Sequence, residues 1–117
     1  MFTRTATMAT VNREIGRRKQ EQAVARLWKE HVRTDFPARL RGEELAGVDL
    51  VLLDTYVAGC VSTWLSNRGS LDEERRQILR DCLADLDTVL PLLTETQEVR
   101  YYERLRELAV LASQNAA

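Results

Sequence analysis

A chain of 117 residues with 44% hydrophobic and 30% charged residues, but only five Gly and two Pro, reads as one helix-rich domain. That usage excludes a disordered, fibrous or disulfide-stapled protein. The net charge of −1 conceals a split, because residues 1–42 hold ten Lys/Arg against four Asp/Glu (+6) while residues 43–117 hold seven against fourteen (−7). Such a split implies an anionic partner for the first part, or two parts that attract each other within or between chains.

Residues 1–11 have no periodicity and read as a flexible tail, with the helical domain spanning 12–117. The segment "MFTRTATMAT" lacks the apolar core of a secretory leader, which predicts a cytoplasmic protein with Cys60 and Cys82 as buried, reduced thiols. A first helix is predicted over 12–33, with Asn12 as its N-cap and Ala23, Val24, Leu27, Trp28 and Val32 on one side. Pro37 and Gly42 break the pattern in "TDFPARLRGEE". A second helix is expected over 43–66, with Ala46, Leu50, Leu53, Val57, Cys60, Val61 and Trp64 facing a core.

Gly69 permits a left-handed turn, and Ser70 with Glu73 reads as a capping box that starts a third helix at Leu71 or Asp72. Its stripe runs from Leu71 through Leu79, Cys82 and Leu86 to Leu90, and Pro91 ends or kinks it. Thr94 and Gln97 suggest a second capping box before a fourth helix over 95–114, with Tyr101, Tyr102, Leu105, Leu108, Ala109 and Ala112 inward. No strand signal competes. The fold class is all-α, an antiparallel four-helix bundle.

The stretch "LAGVDLVLLDTYVAGCVSTWL" (45–65) carries no charge except Asp49 and Asp54. As a membrane span its nine Leu/Val would gain about 3–5 kcal/mol, whereas the two Asp would cost about 5–7 near mid-membrane. A membrane role is therefore set aside. A soluble helix this apolar on every side calls for a covered back, and a second copy of the chain is the expected cover, making a homo-oligomer, with a dimer favoured. Val51, Leu52, Ala58 and Leu65 are the predicted interface, and Gly59 and Ser62 are small enough to admit a close helix. Asp49 and Asp54 are then expected to pair with arginines, Arg39 or Arg41 being the nearest candidates.

Arg18, Lys19, Arg26, Lys29 and Arg33 fall on one face of the first helix, a basic stripe some 22 Å long by helical rise. It could track nucleic-acid phosphates, face an acidic protein partner, or meet Glu74, Asp81 and Asp85, which share a face of the third helix. No helix-turn-helix spacing, zinc pattern or aromatic stacking set supports nucleic acid, and the isoelectric point near 5.9 opposes it. His31, the one histidine, reads as a packed or capping residue, and no Glu-x-x-His pair, Gly-rich phosphate loop or metal-ligand cluster is present. No cofactor is expected. The sequence thus describes an interaction or regulatory module without catalysis. A nucleic-acid-associated regulator is the alternative, and a ligand sensor or enzyme with Asp54 in an inter-helix cavity is the third reading.

Overall fold

A computed structural model describes residues 8–114 of the chain. Four α-helices form the described part: α1 (Met8–Arg33), α2 (Leu50–Ser66), α3 (Glu73–Val89) and α4 (Thr96–Ser113). Single 3-10 turns at Ala38–Leu40 and Leu90–Leu92 interrupt the connections, the second carrying Pro91 directly after α3 ends. The fold is all-α, and no helix among the described residues is long and apolar enough to cross a membrane.

Helix α1 starts before the expected point. Residues 8–11 are already helical, Asn12 lies inside the helix rather than capping it, and residues 1–7 of the expected tail lie outside the described part. Every residue from Met8 to Lys19 is exposed, so about 18 Å of α1 extends past the helices it packs on. The described chain accordingly measures 64 × 26 × 22 Å. From Gln20 onward α1 is anchored, with Val24 and His31 buried and Leu27 and Trp28 packed against the core, whereas Val32 points away at 58% exposure.

The start of α2 is a correction with a clear cause. Residues 43–49 do not extend the helix, because Ala46 (φ 50) and Gly47 (φ 79) both adopt left-handed backbone and turn the chain into a minimal hairpin. Its strands, β1 (Glu44–Leu45) and β2 (Val48–Asp49), pair antiparallel with Glu44 opposite Asp49. Two consecutive positive φ angles define the tight turn that matches strand twist, and glycine at the second position is its usual signature. Asp49 then caps α2, its Oδ1 accepting from the Leu52 amide at 3.0 Å. Ala46, expected in the core, sits exposed in the turn.

Helix α2 ends with Arg68 (φ 57) and Gly69 (φ 86) left-handed, the Gly69 amide donating back to the Trp64 carbonyl at 2.7 Å. This satisfies a carbonyl that the helix end would otherwise orphan. The cap of α3 is Asp72, not Ser70: Asp72 accepts from the Arg75 amide at 2.8 Å, while Glu73 turns to Arg76 and Arg80. Nor does Thr94 cap α4, which begins at Thr96 after Glu95 with no side-chain cap bond.

The core is where the periodicity placed it. Leu50, Val57, Val61, Leu79, Leu86, Val89, Leu105 and Leu108 are completely buried, as is Tyr102, whose hydroxyl donates to the Leu50 carbonyl at 2.7 Å. Each such aliphatic side chain contributes about 1.5–3 kcal/mol relative to exposure. Helices α2 and α4 pack on each other, and α1 and α3 each pack on both.

Candidate functional site

Three features stand out once the core is set aside. The first is the outer face of α2. Opposite its buried side lie Val51, Leu52 and Tyr56, exposed by 38, 46 and 53%, together with Thr55, Gly59, Ser62 and Ser66. That face carries no charge along its whole length, in a chain of which 30% is charged. A Cβ on Gly59 would meet nothing within 4 Å, so packing within the chain does not require its small size. Of the predicted interface residues, Val51 and Leu52 lie on this face, whereas Ala58 is half-buried at its edge and Leu65 leans into the core.

The second feature is a polar cluster joining α1, α2 and α4. Asp54 does not meet an arginine; its Oδ1 lies 2.9 Å from His31 Nε2 and its Oδ2 accepts from the Tyr101 hydroxyl at 3.0 Å. A carboxylate can only accept, so the imidazole carries its hydrogen on Nε2. Burial first, then the negative charge of Asp54, pushes the Tyr101 phenol well above its ordinary range, so at neutral pH it stays a proton donor. His31 and Tyr101 are each 5% exposed. Trp28 stacks beside His31, and the Arg104 guanidinium lies 5.4 Å above the Tyr101 ring. Among the described residues His31 Nδ1 and Arg104 Nε and Nη2 are buried without a hydrogen-bond partner.

Beside this cluster a half-open cleft of ≈ 450 Å³ is lined by Glu30, Thr34, Asp35, Arg100, Tyr101 and Arg104. Its charges are mixed. Arg104 reaches Glu30 at 3.5 Å, and both Asp54 oxygens are occupied within the protein. The cluster therefore acts as a clamp on three helices. Arg39, predicted for Asp49 or Asp54, instead forms a two-pronged pair with Glu98, a carboxylate buried in the first turn of α4, with Nε at 2.8 Å from Oε2. Arg41 lies over the Phe36 ring at 5.7 Å. The partners of Asp49 and Asp54 are thus an amide, an imidazole and a phenol.

The third feature is the basic stripe. Arg18, Lys19, Arg26, Lys29 and Arg33 are all exposed, and none forms an ion pair among the described residues. On α3, Glu74 and Asp81 are exposed and Asp85 is half-buried; among the described residues Glu74 and Asp85 form no ion pair, and Asp81 accepts from Gln77 at 2.9 Å. The two charged faces do not meet within the chain.

Among the described residues no group of three or more His, Cys, Asp or Glu is placed to hold a metal ion. Cys60 and Cys82 are free and buried. Burial, reinforced by Cys60, Asp85 and Asp81, pushes the Cys82 thiol up to about 12. No protein-family model, curated protein or solved structure matches the chain. Glu98 and Arg104 are the residues that sequence reasoning missed. Glu98 had one signal, an acid in the first turn of a helix, where the macrodipole favours it.

Proposed function

We propose that the chain is a non-catalytic interaction module, an antiparallel four-helix bundle that associates with a second copy through the outer face of α2. The observation that carries this reading is the uncharged face bearing Val51, Leu52 and Tyr56. A helix at the surface of a small domain normally turns charged residues to water. An apolar patch left open there favours association, and a two-fold pairing of like faces closes it without leaving an edge. Gly59 and Ser62 keep the middle of the face low, which permits close approach of a second backbone.

The test is Leu52→Glu, at a side chain that is 46% exposed. Sedimentation velocity of the parent chain should give a dimer, and the variant a folded monomer by circular dichroism. A variant with unchanged sedimentation would remove α2 as the contact. The five basic residues of the α1 stripe, none in an ion pair among the described residues, favour a second reading, association with nucleic acid. There Arg26→Glu with Lys29→Glu should abolish a salt-sensitive affinity for duplex DNA or RNA. A ligand-binding or catalytic Asp54 is not proposed, because His31 and Tyr101 take both of its oxygens.

A further inference from the structure

The outer face of α1 is a surface in two parts. Val11 and Ile15, 39 and 46% exposed, lie on the overhanging part, and Arg18, Gln22, Ala25 and Lys29 continue the same row at alternating steps of four and three. No acidic residue interrupts this row. Steps of three and four residues form the seam by which one helix lies along another.

One flank of α3, on which Ile78 also packs against the core, has the opposite chemistry in the reverse order. Read backward from the turn that ends it, the row is Leu92, Thr88, Asp85, Asp81, Ile78 and Glu74, with the same steps of four, three, four, three and four. Leu92 is 48% exposed, and every other member is exposed or half-buried. Laid antiparallel, the two rows share their spacing, with opposite charges facing at two of the six steps and Ile15 on Thr88. Arg18 falls on Asp85, Gln22 on Asp81 and Lys29 on Glu74, while Val11 meets Leu92 and Ala25 meets Ile78. Lys19, Arg26 and Arg33 flank the basic row and add to its field.

Among the described residues α1 and α3 each pack on α2 and α4 and share no ion pair. We propose that they meet between molecules, α1 of one copy docking antiparallel along the acidic face of α3 of a second copy. This surface is separate from the α2 face and stands independently of it. The charge complementarity and the shared spacing select this occupant. A flat anionic surface would satisfy the arginines but would not explain an acidic, apolar-ended row of the same pitch on the same protein.

The contact joins two different faces, so it leaves one α1 and one α3 open at its ends and allows growth. In a Leu52→Glu background, which removes the α2 contact, light scattering at about 50 mM salt should show a mass that climbs with concentration. At about 500 mM salt the apparent Kd should weaken about tenfold or more, because screening shortens the reach of exposed charges. Two charge-reversed chains then decide the matter: Arg18→Glu with Lys29→Glu, and Glu74→Lys with Asp85→Lys. Among the described residues none of these four side chains forms an ion pair, so both proteins should keep the parent circular dichroism.

In the Leu52→Glu background each reversed protein alone should stay monomeric. Mixed, they should associate again, because each offers the face the other needs. A parent mass that is indifferent to salt, or a mixture that stays monomeric, would overturn the proposal. So would retention of the parent chain on anionic vesicles or duplex DNA without self-association, which would assign the stripe to another class of partner.

Discussion

Replacing Asp54 by Ala tests the clamp between α1, α2 and α4. The change removes the acceptor for two donors, His31 Nε2 and the Tyr101 hydroxyl, each on a residue 5% exposed. A buried donor left without a partner costs about 1–3 kcal/mol, so two give about 2–6. The Asp54 side chain retains 19% exposure, which lets water replace part of the loss and brings the expected cost to about 2–4 kcal/mol. For a domain of this size that is on the order of 10 °C in Tm.

Urea unfolding followed by tryptophan fluorescence is the assay, since Trp28 stacks on His31 at a centroid distance of 6.0 Å. A second variant makes the test sharper. Tyr101→Phe should destabilise the parent by about 1 kcal/mol, yet cost less in the Asp54→Ala background, where the hydroxyl has lost its carboxylate acceptor and keeps only His31 Nε2 at 3.4 Å. A loss below about 0.5 kcal/mol for Asp54→Ala, or equal effects of Tyr101→Phe in both backgrounds, would refute the reasoning.

Ala46→Asn should stabilise the chain by about 0.5–1 kcal/mol, because Ala46 holds φ 50 in the hairpin and Asn followed by Gly47 suits that turn better; an unchanged urea midpoint would contradict the turn assignment. Stability should also fall as the pH rises above 9.0. There the unfolded chain releases its thiol proton while folded Cys82 keeps its own until about 12, and the raised Tyr101 and Tyr102 phenols act in the same direction from about pH 10. The urea midpoint should therefore drop between pH 8 and pH 10.5, and a flat profile would argue against these buried groups. At pH 8 both cysteines should resist alkylation until the protein is unfolded, and rapid labelling of the folded chain would place a thiol at the surface.

The sequence reveals its helices wherever periodicity and burial agree. All six inward residues named for α4 are buried, and the stripe of α3 packs as read. The misses fall where local chemistry offers two answers or a contact spans long separations. Ser70 and Asp72 can both cap a helix. The buried Leu71 is followed by Asp72 in extended backbone, which leaves the carboxylate as the cap. The segment 44–49 reads as helix from its apolar content, and the hairpin depends on Ala46, a residue type that rarely takes positive φ.

Asp54 shows the other limit. Electrostatics requires a partner for a carboxylate in an apolar helix, and arginine is the usual choice. The side chains that arrive are His31, 23 residues before it, and Tyr101, 47 after it, because only the packing of three helices decides who is near. The outer face of α2 was legible for a simpler reason: a helix interior and a helix back are distinguished by angle alone. Val51 and Leu52 are accordingly exposed, whereas Leu65, expected at the interface with them, packs against the core.

The most direct test of the account is the absolute mass of the parent chain by light scattering behind a sizing column, at about 500 mM salt to suppress the α1–α3 contact. A mass of twice 13.4 kDa that falls to 13.4 kDa in Leu52→Glu is the predicted result. A parent chain that elutes as a 13.4 kDa monomer at every concentration would contradict self-association through α2.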